Sequence, residues 1–214
     1  MLSEIVNKYN NNSAYINGWK HMKRSSVVIL LADIDGETNV LFEMRSKKMR
    51  SQPGDISFPG GKIEDGETPD ETAIRETCEE IGLNEGDFKI ISPLNILTTH
   101  YNLLIHPFLG YIKNIDNIRI SKDEVDHVFF VPLEYFFNNE PLIIDSEIVV
   151  KRNKNFPYER INGGKNYKFK NGVYKSLFYK YKEYNIWGIT AIMIYDFISD
   201  LKDKEMTNTV KVSN

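Results

Sequence analysis

The stretch from Thr68 to Leu83 constrains this chain most, because it carries its own start and stop signals for a helix. Thr68 and Glu71 have the spacing of a capping box, and Pro69 sits at the first helical position, where its missing N–H is no loss. Gly82 closes the segment by supplying the left-handed backbone that ends many helices. Strand-like runs lie on both sides. Val27 to Ala32 and Asn39 to Met44 flank the turn Asp33-Ile34-Asp35-Gly36-Glu37 and read as a hairpin. Ile56 to Pro59 reads as a short strand running into Gly60-Gly61. Further strands are expected at Phe88 to Ile91, Leu94 to Thr98, Ile105 to Ile112 and His127 to Val131, with Pro132-Leu133-Glu134 opening a short helix. Strands before and after a central helix predict an α/β or α+β layered domain.

A chain of 214 residues, 41% apolar and 27% charged, has the length and composition for one substantial core. A single domain is expected over residues 23–201, after an arm or short helix at 1–22 and before a flexible tail at 202–214. Residues 151–182 differ in composition. Lys151, Arg152, Lys154, Arg160, Lys165, Lys168, Lys170, Lys175, Lys180 and Lys182 stand against Glu159, interleaved with Phe, Tyr and turn glycines. That pattern predicts an inserted basic hairpin or lid. From Trp187 to Leu201, apolar Ile189, Ile192, Met193, Phe197 and Leu201 have the spacing of a packed helix.

A net charge of -3 gives no global field for nucleic acid or an anionic membrane, so any anionic ligand must be met by a local patch. The longest apolar run, Val27 to Ala32, is far too short to span a bilayer. Cys78 is the only cysteine, which excludes an intramolecular disulfide and fits a reducing cytoplasm.

At about 100° per residue, Glu79 and Glu80 fall on either side of Glu76, so three carboxylates share one face. Ile74, Cys78 and Ile81 lie opposite and are expected to be the buried stripe. Like charges at this spacing destabilise a helix by a few tenths of a kcal/mol per pair, which asks for a compensating cation. Oxygen-only donors with positions left for water and phosphate suit Mg²⁺ or Mn²⁺.

Gly61, then Glu67, then Arg75-Glu76-Thr77-Cys78-Glu79-Glu80-Ile81-Gly82-Leu83 resembles the Nudix box in spacing and residue type. Thr77 alone departs, standing where an aliphatic residue is usual. The resemblance implies a Nudix-type α/β/α sandwich with a mixed β-sheet and a metal-dependent pyrophosphohydrolase. It further implies Glu76, Glu79 and Glu80 as metal ligands, Gly61 as a backbone carbonyl ligand, and Arg75 paired with Glu67 to orient the acidic cluster.

Upstream, Leu41 to Ser46, Arg50, Gly54 and Phe58-Pro59-Gly60-Gly61 resemble the coenzyme A pyrophosphatase branch of that family, although Phe42 and Glu43 stand where the branch prefers Leu and Thr. Asp123-Glu124-Val125 and Ile186-Trp187-Gly188 resemble it too. On this resemblance the substrate is coenzyme A or an acyl-coenzyme A, split into 3',5'-ADP and (acyl-)4'-phosphopantetheine. Arg45 and Arg50 are then candidates to hold phosphate oxygens, and Glu124 is a candidate extra ligand or general base. ADP-ribose or another nucleoside-diphosphate sugar is the alternative substrate, and a non-catalytic nucleotide-sensing domain the alternative class. The expected partner is a small-molecule nucleotide rather than nucleic acid or a membrane, with the chain a monomer or homodimer.

Overall fold

A computed structural model describes residues 1–212, with side-chain surroundings through Asp203. After helix α1 (Leu2–Tyr9), strands β1 (Lys23–Ile34) and β2 (Glu37–Arg45) pair antiparallel across a turn in which Asp35 and Gly36 both have positive φ. Asp-Gly suits that turn because its twist matches that of the strands it joins. Then come β3 (Ile56–Ser57), β4 (Gly60–Lys62), α2 (Pro69–Ile81), β5 (Phe88–Pro93), β6 (Leu97–Thr98), β7 (Leu103–Ile112), β8 (Val125–Pro132) and α3 (Leu133–Asn138). The chain continues with β9 (Leu142–Ile148), β10 (Gly172–Tyr181), β11 (Tyr184–Trp187) and α4 (Gly188–Val212).

The main sheet runs β3-β2-β1-β7-β5, with β4 also on β1, β8 on β2 and β6 on β7. Among the described residues only β1 and β7 pair in parallel, so the sheet is mixed. Successive residues of β1 serve opposite faces. Val28, Leu30 and Ala32 join Ala73, Ile81 and Leu83 under α2, while Ile29 joins Phe42, Phe58, Phe129 and Phe136 with Ile194 and Phe197 of α4. Phe42 centres that second layer, its ring 4.9 Å from Phe58 and 5.5 Å from Phe129. Both faces are therefore covered, giving the α/β/α sandwich. No helix among the described residues is long and apolar enough to cross a membrane.

Three expectations need correction. The buried residues of α2 are Thr72, Ala73, Thr77, Glu80 and Ile81, with Ile74 and Cys78 only half-buried. Small Ala73 and Thr77 let the helix lie close on the sheet, and the Thr77 hydroxyl satisfies itself by donating to the Ala73 carbonyl at 2.8 Å. The basic segment 151–182 divides in two. Residues 151–171 form a loop with two short 3₁₀ turns, whereas β10 belongs to a separate sheet ordered β11-β10-β9 and buries Leu177 and Tyr179 in the main core. Strand β9 escaped notice because six of its seven residues are exposed and no alternation marks it. Finally, α4 continues through Val212, so the tail expected at 202–214 overlaps a helix, and residues 213–214 lie outside the described residues.

The ends of α2 match their sequence signals. Thr68 N–H donates to Glu71 Oε2 at 2.8 Å, Glu71 N–H returns to Thr68 Oγ1 at 3.4 Å, and Gly82 adopts φ 70°. Thr68→Ala removes one of the two capping bonds, and the long return bond places its loss near the lower end of cap energies, about 0.5 to 1 kcal/mol. Urea unfolding should show that decrease with far-UV circular dichroism unchanged, and equal midpoints would show that the cap contributes nothing.

Candidate active site

Strand β4 carries two glycines because two bodies press on it. In its antiparallel pairing with β1, Gly60 lies opposite Val27 and Gly61 opposite Ser26. Gly60 has φ 152°, and a side chain there would collide with the Ser26 carbonyl; one on Gly61 would collide with the Glu76 carboxylate. Removing both side chains brings the backbone flat against α2, where Gly60 N–H donates to Glu80 Oε2 at 2.8 Å. The three helix carboxylates consequently fan from interior to solvent, with Glu80 3% exposed, Glu76 14% and Glu79 57%.

Arg75 ties this face together. Its Nε and Nη2 donate to the two oxygens of Glu67 at 2.7 and 3.1 Å, while Nη1 donates to Glu76 Oε1 at 2.8 Å and Glu79 Oε2 at 3.0 Å. A planar fork with five fixed donors can hold three carboxylates at once, which a lysine cannot. Glu67 is fixed in turn by the Thr72 hydroxyl at 2.8 Å and the Glu64 N–H at 3.0 Å. These donors, Arg75 foremost, hold the Glu67 carboxyl down at about 2.

Sequence reasoning missed one member of the cluster. Glu43, on the face of β2 toward α2, is wholly buried and accepts a hydrogen bond from Ser57 Oγ at 2.8 Å. The available signal was a carboxylate in the middle of the apolar run Val40 to Met44. Burial pushes Glu43, Glu80 and Glu76 all above the usual carboxylate range; the charge of Glu43 adds to the effect on Glu80, and that of Glu124 to the effect on Glu43 and Glu76. Glu124 itself is exposed in the turn before β8, its carbonyl accepting from Ser46 N–H at 2.7 Å.

Among the described residues no three His, Cys, Asp or Glu side chains already converge tightly enough to enclose a metal ion. Arg75 Nη1 instead bridges Glu76 and Glu79. The donor set still suits a hard divalent cation. It is all oxygen, its members raise one another's proton affinity, and the missing side chain of Gly61 leaves backbone directly against the Glu76 carboxylate.

Beside the glycine strand opens a cleft of about 360 Å³, lined by Arg45, Ser57, Phe58, Tyr101, Tyr174 and Trp187 among others. Arg45 thus reaches the site, whereas Arg50 is exposed and absent from this lining. None of the basic residues of 151–182 lines the cleft either; from that segment only Tyr174 does, its ring centroid 4.7 Å from that of His100. The aromatic wall was not legible in the sequence, because Tyr101, Tyr174 and Trp187 come from three distant segments.

The raised carboxyls have a consequence for stability. Glu80 is pushed from 4.5 up to about 9. Between those values the folded chain keeps a proton that the unfolded chain has released, so stability falls as pH rises across the window. The metal-free protein should melt at lower temperature near pH 8.5 than near pH 6, and Glu80→Gln should flatten that dependence. A wild-type melting temperature that rises over this range would contradict the assignment.

The comparisons with known proteins point to one family. Residues 22–161, more than half of the chain, match the NUDIX domain family. "Nudix hydrolase 3" of Caenorhabditis elegans is 30% identical over 178 residues, covering 81% of this chain and 71% of that protein. The peroxisomal coenzyme A diphosphatases NUDT7 of Mus musculus and ndx-8 of Caenorhabditis elegans are each 36% identical, over 53% and 54% of this chain and 48% and 51% of their own. The chain spans about half the length of those two diphosphatases. Because the family match takes in the glycine strand and the acidic helix packed on it, the chain belongs to the Nudix hydrolase family.

Proposed function

We propose that the protein hydrolyses the pyrophosphate of coenzyme A or an acyl-coenzyme A to 3',5'-ADP and (acyl-)4'-phosphopantetheine, with Mg²⁺ or Mn²⁺ as cofactor and the cytoplasm as its compartment. One observation carries the reaction class: the cleft places Arg45 and an aromatic wall beside Gly60 and Gly61, which lie directly on the carboxylate face of α2. A diphosphate needs an anion-holding group on one side and a cation-holding group on the other, and this arrangement supplies both. The relatives named as coenzyme A diphosphatases support the substrate.

Glu76, Glu79 and Glu80, with the Gly61 carbonyl, would hold the divalent cation. When bound, that cation polarises a phosphoryl oxygen and lowers the pKa of water. Arg75 keeps Glu76 and Glu79 together on the helix, and Glu67 fixes the plane of Arg75. Arg45 donates to phosphate oxygens, offsetting the charge that collects on the leaving phosphate. Glu124, close enough for its charge to bear on Glu43 and Glu76, takes the proton from the attacking water. Water adds to one phosphorus, the bridging P–O bond breaks, and two phosphomonoesters leave. Tyr101, Tyr174 and Trp187 offer flat faces on which a nucleobase stacks, worth about 1 to 3 kcal/mol per base in single-strand nucleic-acid binding.

ADP-ribose is the second reading, and one observation favours it: no basic residue of 151–182 lines the cleft to meet the 3'-phosphate of coenzyme A. Assay of coenzyme A, an acyl-coenzyme A, 3'-dephospho-coenzyme A and ADP-ribose with Mg²⁺ and with Mn²⁺, products identified by mass, separates the two. We expect coenzyme A to give the higher kcat/KM. Removing the 3'-phosphate should lower kcat/KM roughly tenfold or more if a charge-assisted contact meets it. Equal kcat/KM for ADP-ribose and coenzyme A would leave a general nucleoside-diphosphate hydrolase, and no turnover of any substrate would favour a nucleotide sensor.

A further inference from the structure

Strand β2 ends in two buried polar atoms that have no hydrogen-bond partner among the described residues. Along the strand, Val40 and Phe42 pack with α4, and Leu41 packs with α2. Alternation puts Glu43 on the Leu41 side, opposite Ser57 of β3 and Val128 of β8. Glu43 is wholly buried. Ser57 Oγ occupies its Oε1 at 2.8 Å, while Oε2 has no hydrogen-bond partner among the described residues. Two residues on, Arg45 lines the cleft, and its buried Nε is likewise without a partner.

A buried acceptor left unsatisfied costs about 1 to 3 kcal/mol, and more if it is charged. Such a group persists where a ligand uses it. The charged groups bearing on Glu43 are Glu76 of α2, Glu124 of the turn before β8, and Arg45; Glu43 in turn bears on Glu80. An unsatisfied acceptor on the acidic side and an unsatisfied donor on the cleft side together complement a cation that carries an anion, as a metal-bound phosphate does. Serine at position 57 makes this more than a buried accident, because its hydroxyl fixes one carboxylate oxygen and leaves the other directed elsewhere.

We propose that Glu43 is a further carboxylate of the divalent-cation site, contributed by β2 opposite α2, with Ser57 fixing Oε1 so that Oε2 positions the cation and its bound water. The inference rests on the reading that α2 holds a divalent cation. Glu43 would act on the cation rather than on the substrate.

The test is Mn²⁺ binding by the full chain, without substrate, followed by the electron paramagnetic resonance of free Mn²⁺. Wild type, Glu43→Gln and Ser57→Ala are compared, with thermal unfolding of each. Glu43→Gln keeps the shape and the Ser57 contact but removes the charge, so it should bind Mn²⁺ roughly ten- to a hundredfold more weakly while unfolding as cooperatively as wild type. Ser57→Ala should weaken binding by a smaller factor. Unchanged Mn²⁺ affinity in a folded Glu43→Gln overturns the proposal and leaves Glu43 a neutral partner of Glu80. If Glu43→Gln does not fold, Ser57→Ala decides: weaker binding supports the proposal and wild-type affinity overturns it. Failure of the wild type itself to bind Mn²⁺ would overturn the cation reading beneath it, a result distinct from either.

Discussion

One guanidinium holds the acidic face of this protein in register. Arg75 grips Glu67 with two donors and reaches Glu76 and Glu79 with a third, so the loop before α2 and the acidic face of α2 become one rigid body. Exposed ion pairs contribute little singly, but a fork shared among three carboxylates restricts all of them together. Without it, like charges on neighbouring turns would splay. The same contact sets two of the helix carboxylates on one donor, since Arg75 Nη1 pairs with both Glu76 and Glu79. On the proposed function, Glu76 and Glu79 would share their charge between the cation and the arginine.

The second constraint is close approach. Gly60 and Gly61 let β4 pass between β1 and α2 with backbone in contact on both sides, and the Gly60 N–H turns Glu80 inward. That inward turn grades the three helix acids from buried to exposed. The buried end feels the charge of Glu43 on the sheet, and the exposed end, Glu79, faces water. One helix thereby supplies both a desolvated anchor and an accessible edge.

Legibility followed the range of the interactions. The capping box at Thr68, the Gly82 stop, the Asp35-Gly36 turn and the Glu67, Arg75, Glu76, Glu79 spacing are local, and the sequence states them directly. The parallel pairing of β1 with β7 and the burial of Glu80 depend on which segments meet, and no spacing along the chain encodes that. Glu43 was visible as a charge inside an apolar strand, yet its meaning needed α2 overhead and Ser57 alongside. The aromatic wall joins residues 101, 174 and 187 through folding alone. The lysines of the 151–171 loop went the other way: conspicuous in composition, they line no part of the cleft.

The central claim is that the acidic face of α2 works by holding a divalent cation in a protein that is already folded. Removing metal with a chelator and then restoring Mg²⁺, with turnover of coenzyme A and far-UV circular dichroism followed on the same sample, tests it most directly. The account predicts that turnover disappears and returns while the helical signal stays constant, because α2 has its own caps and its own packed side. Turnover that persists without metal, or helical structure lost on chelation, would contradict it.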